Sequence, residues 1–370
     1  YYQVHLKRGF FWYYLQRHNL QPRIEPLPEQ PLTRISLHRA DEQLLHIYAR
    51  EATVAVDFSH VLTDGYGAMR FLGSLIVEYL RLTGADIPRG SLLMDPREPV
   101  PQEEYQDAFQ ELYRPGVPKA PDLEPAYHVG GMPFVRGYRT VTGRMPVADA
   151  LAAAKRYGAT LTEFIVSIYM DAIKSVHEHQ AEGLFKPRSK IIRIEVPVNM
   201  RRLYPSQTMR NFSLFVSPEI DLRLGDWEFE SIVRRVHHEM NIQVEPNELA
   251  RQIARNVGGE RNRFVRLVPR VLKDAYLGYL HRTIGDRSYS GVVSNLGRFI
   301  LPDEARPYVQ SVGFVLGPNT SYKTCCAVVS YADELYVTFG SVIQNRAVER
   351  WFFRALVHEG LNVIVTEQLS

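Results

Sequence analysis

The sequence predicts an α/β protein built as two related lobes, each a mixed sheet with packed helices, the second a pseudo-duplicate of the first. Three observations carry that prediction. The chain has 370 residues, room for about two domains at roughly 100–200 residues each. Strand-like and helix-like patterns alternate over residues 1–83 and mix again from 136 to the end. One segment also occurs twice: VAVDFSHVLTDGYGAMRFLGSLIVEYL at 54–80 matches LYVTFGSVIQNRAVERWFFRALVHEGL at 335–361. Val56, Phe58, Val61, Phe71, Leu75 and Leu80 recur as Val337, Phe339, Val342, Phe352, Leu356 and Leu361. Two copies are too few for a solenoid. The lobes are expected at residues 1–135 and 136–370.

Composition narrows the function classes. Apolar residues make up 45% and charged residues 23%, a globular balance that excludes a mostly disordered chain. No apolar run reaches the ~18 residues of a membrane span. The net charge of +3 fits an anionic ligand and is too weak to argue for nucleic acid. Cys325 and Cys326 are adjacent and cannot frame a disulfide scaffold, so a reducing, cytoplasmic setting is expected. The chain opens at Tyr1 rather than Met, and no signal-peptide pattern is read in it.

Each copy reads as strand, turn and amphipathic helix. In the first, Val54, Val56, Phe58 and His60 share a strand face by the period of two, which would aim His60 at the interior. Ala68, Phe71, Leu72, Leu75, Ile76 and Tyr79 share a helix face, with Arg70, Ser74, Glu78 and Arg81 largely opposite. From 84 to 135 the prolines Pro88, Pro96, Pro99, Pro101, Pro115, Pro118, Pro121, Pro125 and Pro133 forbid a regular helix or central strand. That stretch reads as a long crossover or lid wrapped on the surface, with Tyr105, Phe109, Leu112 and Tyr113 needing somewhere to pack. Further on, 147–156 reads as a helix, Thr160 or Thr162 caps a second one, and 190–198 reads as a strand. Residues 231–280 read as mostly helical and basic. Between 251 and 290, Arg251, Arg255, Arg261, Arg263, Arg266, Arg270, Lys273, Arg282 and Arg287 outnumber Glu260, Asp274 and Asp286. This is either a solvated helix face or a docking surface for a phosphate-bearing or acidic partner.

The two copies differ where chemistry is expected. The first holds His60, Asp64 and Gly65 in an HxxxDG pattern; the second has Ser341, Asn345 and Arg346 in the same register. A neutral imidazole at His60 can take a proton from a hydroxyl or amine near neutral pH. Asp64 can cap the following helix or pair with an arginine, and Gly65 permits close approach of a ligand. The plainer alternative is a core histidine followed by a helix cap. Metal chemistry finds no support: His177 and His179 are at i and i+2, which do not share a helix face, and His237-His238-Glu239 lacks the second histidine of HExxH. Cys325-Cys326 sits in a strand-like run where buried, inert thiols are expected. Gly65-Tyr66-Gly67 lacks the lysine of a phosphate loop and the third glycine of a dinucleotide fingerprint.

HxxxDG at His60, Asp64 and Gly65 resembles the active-site motif of the CoA-dependent acyltransferase superfamily, the fold of chloramphenicol acetyltransferase. Other elements follow in the family's order: VPVNMRR at 196–202, Asn211, and VVSNLG at 292–297. The FFWYYLQ opening, Phe10 to Gln16, is similar to that of bacterial alcohol acetyltransferase-like members. The resemblance implies chloramphenicol-acetyltransferase-like lobes meeting at a tunnel and a general base at His60. It implies a structural Asp64 bonded to an arginine, Arg201 first and Arg202 second. Ser294 would donate to the tetrahedral oxyanion, with Asn295 supporting it. It further implies a monomer with no permanently bound cofactor, acyl-CoA as co-substrate, a short acyl group such as acetyl, and a small alcohol or amine acceptor. A condensation-like transferase fed by an acyl-carrier protein is the alternative enzyme, and a catalytically silent ligand-binding or scaffold member the alternative outside catalysis. Ser59 stands where condensation domains carry a second histidine, which points away from amide formation. The plant-type Asp-Phe-Gly-Trp-Gly motif is absent.

Overall fold

A computed structural model describes residues 2–17, 21, 23–28, 43–88, 93–95, 97–134, 137–180, 189–283, 287–317 and 322–369. Pro96, Asp286 and the side chain of Arg282, named above, lie outside the described residues.

The first block opens with a hairpin, β1 (Val4–Arg8) and β2 (Tyr13–Arg17). A three-stranded sheet follows: β3 (Ile24–Pro26), β4 (Leu45–Arg50) and β5 (Thr53–Phe58), in that order. Helix α1 (Gly65–Leu82) is the helical half of the first repeat. Among its described residues the proline-rich stretch holds a 3-10 turn (Gln102–Tyr105) and one short α-helix, α2 (Ala108–Leu112). Phe109, Leu112 and Tyr113 find their packing partners in Met200, Phe212 and Leu249, whereas Tyr105 stays exposed.

The second block supplies β6 (Arg139–Pro146), α3 (Val147–Arg156), α4 (Leu161–Gln180), β7 (Ile191–Asn199), β8 (Ser213–Val216) and β9 (Glu219–Asp221). Helices α5 (Phe229–Gln243), α6 (Pro246–Arg261), α7 (Arg263–Leu267) and α8 (Arg270–Thr283) come next. Strand β10 (Gly291–Arg298), hairpin β11 (Thr324–Tyr331) and β12 (Glu334–Ser341), helix α9 (Ala347–His358) and β13 (Ile364–Leu369) complete it. The large sheet runs β13-β6-β12-β11-β10-β7-β8, with β9 also on β7. β10 pairs parallel to both neighbours, and the remaining pairings are antiparallel.

The caps follow from side-chain chemistry. At the start of α4, Thr160 Oγ1 accepts from the Glu163 N–H at 3.3 Å and a Glu163 carboxylate oxygen accepts from the Thr160 N–H at 2.8 Å. This reciprocal box satisfies two otherwise orphaned donors. Thr160, not Thr162, is therefore the cap, which leaves Thr162 free for another task.

The period of two divides the large sheet into two faces. Ile192, Ile194, Val293, Cys326 and Val328 point into the main core, against α4 and Phe352 and Leu356 of α9. Glu195, Ser294 and Cys325 line a cavity on the opposite face. Further along that face, Val329 and Tyr331 meet Val77 and Leu80 of α1 together with Phe299 and Leu301. Helix α1 thus spans from the small sheet to the large one, and the cavity lies beneath it. Its predicted core face is a correction: Leu72, Leu75 and Ile76 are only half-buried and line the cavity, and Tyr79 is exposed. The fully buried positions are Gly67, Gly73, Val77 and Leu80. Period 3.6 locates the apolar stripe, but it does not say whether a packed core or an open cleft lies opposite.

Candidate active site

The turn after β5 carries the HxxxDG residues. β5 ends at Phe58: the Ser59 N–H donates back to the Leu44 carbonyl at 2.9 Å, and the Leu62 N–H closes a turn onto the Ser59 carbonyl at 2.9 Å. His60 therefore lies past the strand, exposed on the cavity wall, rather than on the strand face aimed at the interior. The strand's alternation stops one step short of His60, where the ladder gives way to a turn.

Asp64 is 5% exposed and does several jobs. One carboxylate oxygen accepts from the Gly67 N–H at 3.3 Å and caps α1. The other accepts from Arg201 Nη1 at 2.6 Å and from the Phe212 N–H at 2.8 Å. Arg201 sits in the helical turn Met200–Arg202 that follows β7. Its other donors reach the Thr208 and Arg210 carbonyls at 2.7–2.9 Å and Asn199 Oδ1 at 3.2 Å. Its guanidinium also lies 4.7 Å from the centre of the Tyr66 ring. A buried ion pair of this kind persists because the remaining donors are satisfied as well. Arg202 is exposed and lines the cavity instead. Thr63 adds a second tie between the blocks, its hydroxyl donating to the Met209 carbonyl at 2.7 Å.

The facing wall is β10. Ser294 is 9% exposed and lines the cavity. Asn295 is fixed at both ends of its amide: Nδ2 donates to Thr162 Oγ1 at 2.9 Å, and Oδ1 accepts from the Gly297 N–H at 2.8 Å. The backbone turns at Gly297 with φ +75°, where a side chain would be strained. A Cβ added at Gly65 would come within 2.2 Å of Leu296 Cδ2. The glycine of HxxxDG and the leucine after Ser294-Asn295 are therefore in contact, and Gly65 is needed for that approach. Asn211 also lines the cavity and accepts from the Ser213 hydroxyl at 2.8 Å.

His60, Asp64, Gly65, Arg201, Arg202, Ser294 and Asn295 all line one cavity of about 2420 Å³ between the blocks, well above the ~300–1,000 Å³ of a usual small-ligand pocket. Sequence reasoning missed Thr162, which holds Asn295, and Asn199, which steadies Arg201. It also missed Glu195, level with Val292 on the neighbouring strand and accepting from the Tyr322 hydroxyl at 2.6 Å. A charged residue alternating with apolar ones in IIRIEVPV was the available signal. Burial raises the Glu195 carboxyl above its usual range, opposed by that hydrogen bond. Burial likewise pushes the Cys325 thiol up to about 12, so it is protonated and unreactive. Among the described residues no group of histidine, cysteine and carboxylate side chains is arranged to hold a metal ion, and no helix is long and apolar enough to cross a membrane.

No protein-family model matches the chain, and no curated protein matches it in sequence. Solved structures do match. The epimerization domain from the third module of tyrocidine synthetase B superimposes with TM-score 0.56 at 11% identity, over 97% of this chain and 84% of that one. Polyketide synthase associated protein 5 from Mycobacterium tuberculosis gives 0.55 at 13%, over 96% and 86%. The TRI3 trichothecene 15-O-acetyltransferase from Fusarium sporotrichioides gives 0.51 at 13%, over 86% and 70%. At such identities the likeness is one of fold, and it spans nearly the whole chain: this is a two-lobed α/β fold, as the duplicated strand–turn–helix unit predicts, of the chloramphenicol-acetyltransferase-like kind that the HxxxDG resemblance implies.

Proposed function

We propose that the chain is an acyltransferase that moves a short acyl group, acetyl foremost, from acyl-CoA to an alcohol. One observation carries the reading: an imidazole from the first block and a serine hydroxyl from the second open on the same cavity, with the two segments in contact at Gly65 and Leu296. In the proposed reaction, His60 accepts the acceptor's hydroxyl proton as its oxygen attacks the thioester carbonyl carbon. The carbonyl oxygen becomes an oxyanion and accepts a hydrogen bond from Ser294. Collapse re-forms the carbonyl, breaks the C–S bond and expels the thiolate, which takes the proton from the imidazolium. No acyl-enzyme forms. Asp64 and Arg201 contribute by holding the His60 turn against the second block. The size of the cavity suits a reaction in which donor and acceptor are bound together.

A second reading replaces CoA by a carrier protein. It is favoured by the likeness to a domain from a module of tyrocidine synthetase B and to a polyketide synthase associated protein. The test is acyl transfer from acetyl-CoA, and separately from an acetylated acyl-carrier protein, to a panel of alcohols and amines followed by mass spectrometry. His60→Ala is expected to lower the rate by at least ~10², and Ser294→Ala by ~10²–10³, with circular dichroism unchanged. Turnover from CoA that is untouched by His60→Ala would remove the proposed base, and turnover from the carrier protein alone would replace the donor. A folded chain that binds acyl-CoA without turning it over would instead be a silent member of the fold.

A further inference from the structure

The basic helices after α5 and the aromatic opening of the chain form one unit outside the cavity. The hairpin β1–β2 is clamped to α8. The Arg270 N–H donates to the Phe10 carbonyl at 2.9 Å and its guanidinium to the Gly9 carbonyl at 3.2 Å. Lys273 donates to the Phe11 carbonyl at 3.1 Å, with its ammonium 3.5 Å from the centre of the Trp12 ring. Asp274 accepts from the Tyr13 hydroxyl at 2.9 Å and from Arg270 at 2.7 Å. The charged side of α8 is thereby turned inward onto the hairpin.

The apolar side is turned outward. Phe264, Leu267, Val271, Leu272, Tyr276 and Tyr279 are each 61–82% exposed, and Phe10 at the hairpin tip is 73% exposed. An ordinary surface helix does the reverse, and an outward cluster this size marks a surface that meets something apolar. Its rim is cationic. Arg263 and Arg266 are exposed on α7, as are Lys7 and Arg17 on the hairpin. The one acid among the described residues of α7 and α8, Asp274, is already occupied.

Aromatic and leucine side chains ringed by arginine are the chemistry of a segment that lies in the headgroup region of an anionic bilayer. A second copy of the chain would bring the same cationic rim against itself. We propose that α7, α8 and the tip of the β1–β2 hairpin form a docking face for an anionic lipid surface, on which the protein lies without spanning it. The proposal does not depend on the acyl-transfer reading.

The full chain is tested by flotation with vesicles of phosphatidylcholine alone and of phosphatidylcholine mixed with phosphatidylglycerol. It floats with the mixed vesicles, is released by salt, and does not float with phosphatidylcholine alone. Leu272→Glu combined with Tyr276→Glu, both at exposed positions, abolishes flotation by at least ~10-fold while the melting curve is unchanged. Arg263→Ser and Arg266→Ser weaken it about fivefold each. Absence of flotation with the mixed vesicles overturns the proposal. So does equal flotation with both, or flotation of the double-glutamate variant at the parent's level. A dimer in gel filtration that the double-glutamate change converts to monomer would assign the face to a second copy instead.

Discussion

The two strand–turn–helix units share a sequence pattern and differ in what surrounds their turns. β5 is an edge strand in the described sheet, paired only to β4, and its turn opens on the cavity. β12 lies between β6 and β11 and is mostly buried. The turn after it is stoppered by the end of the proline-rich crossover. The Phe134 N–H donates to the Val342 carbonyl at 3.0 Å, the Gln344 N–H to the Met132 carbonyl at 2.9 Å, and Asn345 Nδ2 to the Gly130 carbonyl at 3.1 Å. Each turn also has its arginine. Arg201 reaches across the blocks to the Asp64 carboxylate, whereas Arg139 stays within its own block and binds the Gln344 and Asn345 carbonyls and Glu349. The first unit therefore spends its turn on joining two blocks around an opening, and the second on closing one block. Chemistry-bearing side chains persist in the turn that faces space.

The comparison breaks most sharply at the helix caps. Asp64→Ala removes the buried partner of Arg201 and is expected to cost about 3–5 kcal/mol in denaturant unfolding, together with acyl transfer. Asn345 is its counterpart, its Oδ1 accepting from the Ala347 N–H at 2.9 Å. Asn345→Ala loses two neutral hydrogen bonds, this one at the helix start and the exposed one to the Gly130 carbonyl, about 1–2 kcal/mol together. Equal costs would mean that Asp64 is a cap and nothing more. Arg201→Lys is expected to resemble Asp64→Ala, because a lysine cannot serve the carboxylate, two carbonyls and the Tyr66 face together.

Gly65 sharpens it next. The second unit carries Arg346 at this position, so the turn itself tolerates a side chain. In the first, Gly65→Ala pushes Leu296, a flexible side chain that can yield, so stability falls by only about 1 kcal/mol. The displacement is passed to Ser294 and Asn295, and kcat/KM is expected to fall by ~10–100-fold. Gly65→Ala with Leu296→Ala restores the room and should recover most of the loss; no recovery would place the glycine's role in the backbone. A smaller effect is expected within the second block. Thr162→Val and Asn295→Ala should show a coupling of about 1 kcal/mol in a double-mutant cycle on kcat/KM, the worth of one neutral hydrogen bond. Additive effects would mean that Thr162 does not position Asn295.

Local features were legible in the chain and long-range ones were not. Helix α3 spans the predicted 147–156 and β7 falls within a residue of the predicted strand, because cap chemistry and hydrophobic period are written locally. The matched units and the HxxxDG residues were visible for the same reason. The exposed setting of His60 was not, since whether a ladder continues past Phe58 depends on β4 and not on β5's own alternation. Nor was the cavity under α1, because an amphipathic stripe looks the same whether it meets a core or an open cleft. The stoppering of the second turn by residues 130–134 joins segments about two hundred positions apart. Of the basic run, among the described residues, only Arg270 and Lys273 are turned onto the hairpin, while Arg261, Arg263, Arg266 and Arg287 stay exposed as a solvated charge run does; the apolar side of α8 facing out beside them depends on the docked hairpin and was not legible locally.

The smallest expected effect contrasts the cavity's two walls. His60 stands exposed on one, and Glu195 is half-buried on the other with the Tyr322 hydroxyl as its hydrogen-bond donor. Burial raises the folded-state Glu195 value above its ordinary 4.5. A group raised on folding contributes stability that is fully present below the unfolded value and is lost as pH rises through the folded one. Ionising this carboxyl in the folded chain is therefore a net cost, borne because the side chain faces the cavity. Glu195→Gln keeps an acceptor for Tyr322 and removes the charge. Its melting temperature should exceed the parent's by about 2 °C at pH 8, with the advantage shrinking towards zero as the pH is lowered to 4.5. A variant less stable than the parent at pH 8 would mean that the carboxylate is ionised and paired within the wall, and the two sides of the cavity would then be more alike than the geometry indicates.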